Sequence, residues 1–250
     1  MTASKTANSE LLTSPQNNST IASNMTSSKP MTSKLLILPR ELRDEIYRHV
    51  LVVNHPLYIF EQGPASDKIE SFIPDKPAHW LALLSADRRL YAEAGEFLYK
   101  CHQFVLVDMA PTQSDLLGNF LRTIGSINAA YLTRISGFNF PVVENPAGEI
   151  TGKVLEVDLG GVKLLQENCP NLKTLETHVD GENWKDMGRT SSGSSAALEG
   201  AHKAFSAVDA EFRVISSGPK IIVKLYRNGV LASEVLEIMG KLGWEISSGR

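Results

Sequence analysis

Gly161-Val162-Lys163-Leu164-Leu165-Gln166-Glu167-Asn168-Cys169-Pro170-Asn171-Leu172-Lys173-Thr174-Leu175-Glu176-Thr177-His178-Val179 contains one complete helix-to-strand unit. Gly161 to Asn168 reads as a short helix. Cys169-Pro170 ends it, because proline cannot continue the backbone hydrogen-bond ladder. Leu172 to Val179 reads as a strand with imperfect alternation of apolar and polar residues. The same rhythm extends both ways. Upstream, Gln103 to Val107 is a nearly continuous apolar run that predicts a strand. Thr112 to Ile124 carries Leu116, Phe120 and Ile124 in line and stops at Gly125, and Leu132 to Phe140 is a strand candidate. Downstream, Leu198, Ala201, Phe205, Val208, Phe212 and Ile215 alternate steps of three and four, a helical pattern. Ile221 to Tyr226 is a further strand, Asn228-Gly229 a turn, and Leu231 to Leu242 a closing helix. Successive strand–helix units favour parallel pairing with right-handed crossovers. The expected fold class is mixed α/β with an irregular strand–helix stack over residues 109–250. The units share little sequence, so no regular repeat array is implied.

The first hundred residues have a different texture. Residues 1–33 hold fourteen Ser or Thr and four Asn, a composition that cannot bury enough apolar surface to offset ordering entropy. They are expected to be a disordered tail. Character changes at Leu35-Leu36-Ile37-Leu38-Pro39. Arg40 to Val53 then places Leu42, Ile46, Val50 and Val53 at helical spacing, with the pairs Arg40/Asp44 and Asp44/Arg48 four apart elsewhere on the surface. A lone helix of this length is marginal in water, so its apolar side requires a partner. Residues 54–79, with five prolines and glycines around Leu57-Tyr58-Ile59-Phe60, read as an extended excursion with one strand of a hairpin. Trp80 to Leu98 predicts two short helices broken near Ser85-Ala86-Asp87.

Composition narrows the function. The 250 residues are 42% hydrophobic and 21% charged with a net charge of −3, so a core is accessible and no basic excess suits phosphate binding. Nucleic acid is not an expected partner. Neither is a membrane, since no apolar run approaches the ~20 residues that span a bilayer. Cys101 and Cys169 lack zinc-ligand spacing and make no disulfide framework, which fits a reducing compartment, cytoplasmic or nuclear. No metal or cofactor is expected. The six histidines form no pair at i, i+4, and no serine sits in a nucleophile elbow. Gly148 to Val154 approaches a phosphate loop but is one residue short, with Val154 where magnesium needs a hydroxyl. Gly160-Gly161 could offer backbone N–H groups to an anion and is more simply a tight turn. No residue is assigned as catalytic. An unrecognised α/β enzyme would place its pocket at the strand carboxyl ends, near Phe140, Val179 or Tyr226.

Two segments resemble one family in order. Leu35-Leu36-Ile37-Leu38-Pro39-Arg40-Glu41-Leu42-Arg43-Asp44-Glu45-Ile46-Tyr47-Arg48-His49-Val50-Leu51 resembles the opening of fungal F-box-like domains, a Leu-Pro-x-Glu-Leu step running into an Ile-Tyr helix. Leu83-Leu84-Ser85-Ala86-Asp87-Arg88-Arg89-Leu90-Tyr91-Ala92-Glu93-Ala94, followed by Phe97-Leu98-Tyr99 and Phe104, resembles that domain's second half. Asn168-Cys169-Pro170-Asn171-Leu172 is similar to a step found in F-box proteins with leucine-rich-type repeats. The resemblance covers residues 35–107. It implies a small helical module at 34–108 that docks on the linker subunit of an SCF-type cullin–RING ubiquitin ligase, while residues 109–250 capture a target protein. The counterparts of the docking residues are Leu38, Pro39, Leu42, Ile46 and Val50. The expected function is therefore a non-catalytic substrate-recognition adaptor. The alternative is an F-box-like scaffold with no ligase role, since about twenty-five residues, Asn54 to His79, stand where the family has a short connection. On that alternative, Leu42 and Ile46 are buried internally.

Overall fold

The computed structural model describes residues 34–61, 68–74, 77, 79–107, 113–139, 159–180, 195–215, 218–226 and 233–248. The 1–33 tail, the Gly148–Val154 near-loop and the Asn228-Gly229 turn lie outside them, as does the Gly/Ser-rich tract Gly188 to Ser195, read from composition as a loop, except for Ser195, which is helical.

A short turn α1 (Lys34–Ile37) leads through Pro39 into α2 (Arg40–Leu51). The excursion supplies β1 (Leu57–Glu61) and β2 (Ile69–Phe72), which pair antiparallel as a hairpin. α3 (Ala82–Ala86) and α4 (Arg88–Cys101) break at Asp87, whose extended backbone and carboxylate cap α4 by accepting from the N–H groups of Arg89 at 2.8 Å and Leu90 at 3.4 Å. Then come β3 (Phe104–Leu106), α5 (Gln113–Ala129), β4 (Arg134–Asn139), α6 (Gly160–Asn168), β5 (Thr174–Asp180), α7 (Ser195–Val214), β6 (Lys220–Tyr226), α8 (Ser233–Lys241) and β7 (Glu245–Ser248). Gly125 has φ 78 and kinks α5 where the sequence predicts the helix to stop, and a further turn follows it. The edge strand β7 is not among the strands read from the sequence.

The strands form one sheet in the order β2-β1-β3-β4-β5-β6-β7, all parallel except β2. This is a mixed α/β fold. The sheet runs straight across residue 108, joining strands from both halves of the chain over one core from Tyr47 to Trp244. Beyond the β1–β2 hairpin, each parallel strand lies beside the one before it. Right-handed crossovers that always step the same way put every connecting helix on the same side. The contacts agree: α4 touches α5, α5 touches α6, α6 touches α7 and α7 touches α8. Burial locates this layer on the side of Leu57, Ile59, Phe104, Leu106, Ile135, Leu175, Ile221 and Val223, which are all nearly inaccessible.

A β-bulge interrupts β4 between Ser136 and Phe138. Gly137 is the extra residue, at φ 97, and a Cβ there would meet the Leu106 backbone. The shift turns Phe138, paired with Thr177, toward the helices, where it is buried. The side chain of Gln113 spans the gap, donating to Gly137 O and accepting from the Asn139 N–H at 2.8 Å.

Candidate interaction surfaces

The first surface is on α2. Its inner side is polar in sequence but buried in fact. Arg43 grips Glu93 of α4 with two parallel bonds of 2.7 and 2.8 Å and donates to Leu38 O at 2.5 Å. The hydroxyl of Tyr47 donates to the same carboxylate at 2.9 Å, and Arg89 adds a bond at 3.0 Å. Arg43, Tyr47, Leu51 and Glu93 are all buried. The Arg43 guanidinium holds the Glu93 carboxyl at about 2, well below its ordinary 4.5, with Tyr47 and Arg89 assisting against the opposing effect of burial. Burial, then the Glu93 charge, pushes the Tyr47 hydroxyl up. Arg40 adds ties to Asp44 at 2.5 Å and Glu96 at 3.2 Å. The expected Asp44/Arg48 pair is replaced by Arg48 on Glu45.

Anchoring α2 through Arg43, Tyr47 and Leu51 leaves its apolar stripe facing out. Leu42 is 53% and Val50 39% exposed, Pro39 is exposed, and Ile46 and Leu38 are half-buried. Ile37, ahead of the helix, is 73% exposed. Pro39, Leu42, Ile46 and Val50 step along the chain by three, four and four, so they lie in one row. Only Val53, of the four apolar positions grouped by spacing, packs against the core.

The second surface is the side of the sheet opposite the helices. Three of its rows can be read from the registers. Gln103, Arg134, Thr174 and Lys220 form one; Tyr58, Val105, Ser136, Glu176, Ile222 and Glu245 the next; Asn139, His178, Lys224 and Ser247 the third, with Phe60 and Val107 on the same side further along their strands. Phe72 of β2 stands beside Tyr58, with ring centroids 6.4 Å apart. Phe72 is 50% and Val107 49% exposed, whereas their counterparts on the helix side are shut from solvent. Parallel sheets ordinarily have both faces covered, so a face with no helix on it among the described residues is unusual.

A polar hub occupies the middle of this face. Glu176 accepts from Ser136 Oγ at 2.7 Å and Gln103 Nε2 at 3.3 Å, and pairs with Lys224 Nζ at 2.6 Å and His178 Nε2 at 3.8 Å. Burial works to raise its pKa, yet the bonds from His178, Lys224 and Ser136 prevail and hold the carboxyl at about 2. Sequence reasoning missed this hub. Its members lie on four strand segments and become neighbours only through the parallel register.

Other sequence candidates are dispersed. A Cβ on Gly161 would sit 2.5 Å from Phe138 Cε1, so the glycine admits the Phe138 ring. His102 is buried; its Nδ1–H donates to Leu98 O at 2.9 Å and its Nε2 accepts from the Val53 N–H at 3.1 Å, a structural tie between α4 and the chain entering β1. Cys169 is buried, and Cys101 is partly so. Among the described residues no three His, Cys, Asp or Glu side chains could share a metal ion, and no helix is long and apolar enough to cross a membrane. Of the positions at the strand carboxyl ends, Val179 is buried, while Phe140 and the Tyr226 side chain lie outside the description. Compared with known proteins, the chain matches no family model and no curated protein.

Proposed function

We propose that this protein is a non-catalytic adaptor whose α2 stripe docks on the linker subunit of an SCF-type cullin–RING ubiquitin ligase, with the strand–helix stack holding a target protein. One observation carries the reading: the helix with the F-box-like sequence spends a buried Arg–Glu–Tyr cluster on its own core and leaves Leu42, Ile46 and Val50 turned outward. Buried ion pairs are weak sources of net stability. An apolar row left to water is explained by a partner that covers it. The exposure of Leu42 also counts against an internal role for that side chain.

A scaffold without ligase activity is the second reading. It is favoured by β1 and β2, which stitch the helical segment into the sheet and give it a neighbour that a free-standing module lacks. Calorimetric titration with purified linker subunit separates the two. The adaptor reading expects a complex with Kd on the order of tens of micromolar or tighter. Replacing Leu42 by Asp is expected to weaken it by at least about tenfold, since burying a leucine contributes about 1.5–3 kcal/mol. No heat of binding at those concentrations removes the ligase role.

A further inference from the structure

We infer that the face of the sheet that carries no helix among the described residues takes an extended, acidic protein segment bearing one aromatic or large aliphatic side chain, laid across the strands with its apolar group over β2-β1-β3 and its acidic groups over β4-β5-β6. This deepens the adaptor reading by specifying the chemistry of the target, and it rests on that reading only for the consequence of capture.

The two ends of the face differ in chemistry. At one end Phe72, Tyr58, Phe60, Val105 and Val107 form an apolar field, and its two most accessible members are about half exposed. At the other end the outward charged groups are Arg134, Lys220 and Lys224 together with the carboxylates Glu176 and Glu245. Arg134 is exposed and has no ion-pair partner among the described residues. Lys220 is paired with Glu245 at 2.6 Å and half exposed. Lys224 and His178 lie over the buried Glu176. Three cations against the two carboxylates leave one net positive charge among these groups, and Arg134 is the member outside an ion pair. Polarity is set at the far edge as well: Glu70, buried beside Phe60, would repel a carboxylate placed over the apolar end.

The spacing fixes the segment. Strands lie about 4.8 Å apart, so β1 to β4 is ~10 Å and β1 to β6 is ~19 Å. An extended chain advances ~3.3 Å per residue. An acidic residue three to six positions from the apolar anchor therefore meets Arg134 or Lys224 when the anchor sits on Tyr58 and Phe72. A basic segment would meet repulsion from the same cations.

The test selects a random library of displayed 12-residue peptides on the full chain, and then measures synthetic copies of recovered peptides by fluorescence anisotropy. Recovered sequences are expected to pair an aromatic or large aliphatic residue with Asp or Glu three to six positions away. Binding should fall at least about tenfold with Val107→Asp and with Arg134→Glu, and should weaken as sodium chloride is raised. Both side chains are exposed, and thermal melts of the two variants establish that they fold. Leu42→Asp should leave peptide binding unchanged while weakening linker binding by at least about tenfold, so failure of one surface is told from failure of the other. Enrichment of basic peptides overturns the inference. So does indifference of binding to Arg134→Glu, recovery of no binders, or self-association of the chain that Val107→Asp abolishes, which would assign the face to a second copy.

Discussion

Replacing Gly137 by alanine should destabilise the protein by about 2–6 kcal/mol. Two costs add. The backbone at Gly137 has φ 97, where a side chain costs about 1–3 kcal/mol. The new Cβ also lies 2.9 Å from Leu106 N and closer still to Leu106 O, and forcing atoms into packed space costs about 1–3 kcal/mol. The chain can escape by ironing out the bulge. Strict alternation then swings Phe138 from the helix side to the open face, forfeiting about 1.5–3 kcal/mol of aromatic burial and the clamp made by Gln113. Either route is expensive. With a urea m-value of about 3 kcal/mol per molar, the midpoint should fall by roughly 0.7 M or more. Gly161→Ala tests the same device from the other side, because its Cβ meets the Phe138 ring edge at 2.5 Å. Its cost should shrink in a Phe138→Leu background, a coupling that a double-mutant cycle reads directly. A Gly137→Ala midpoint within about 0.2 M of the wild type would refute the account of the bulge.

Removing the Tyr47 hydroxyl with Tyr47→Phe deletes one of the donors to the buried Glu93 carboxylate and should cost about 1.5–3 kcal/mol by urea titration; an unchanged midpoint would mean that Arg43 and Arg89 alone satisfy Glu93. Stability should also fall in acid in two stages. Burial depresses the His102 pKa below its ordinary 6.5, so the unfolded chain takes up that proton first and stability declines as pH drops below 6.5; His102→Gln should flatten this limb of the midpoint-against-pH curve. Glu93 and Glu176, each held at about 2, contribute stability that is complete above 4.5 and is lost as pH falls toward 2. A flat wild-type curve from pH 7 to pH 3 would contradict both assignments.

Elements with strong internal pattern were legible. The run Ile221 to Tyr226 and the steps from Leu198 to Ile215 sit in β6 and α7 within a few residues of their predicted limits. The Asp87 break was legible because capping chemistry is local. What failed was non-local. Glu245-Ile246-Ser247-Ser248 contains one apolar residue, and it forms a strand because β6 offers a free edge and Trp244 is pinned between Phe205 and Phe212. On α2, Arg43 reads as a solvent residue, and only Glu93, fifty positions away, makes its side the buried one. The row of Leu42, Ile46 and Val50 was therefore visible, but its direction was not.

Both candidate surfaces arise from one economy of packing. An amphipathic element usually turns its apolar side inward, and α2 inverts this by meeting the core through a neutralised charge cluster. The sheet does the equivalent at larger scale. Because each crossover steps to the next strand without reversing, the connecting helices among the described residues accumulate on one side, and the other side has no helix among those residues. In the middle, that side satisfies itself through the Glu176 hub, whose bonds run between neighbouring strands and require no covering layer. Toward β2 it does not: Phe72, Tyr58 and Val107 have no such device, and nothing in the strand order requires aromatic residues there. Residues that the fold neither needs nor hides are the ones whose presence calls for a second molecule. By that criterion the apolar end of the open face and the α2 stripe are two exposed apolar patches on separate elements, so the two proposed partners would bind without competing.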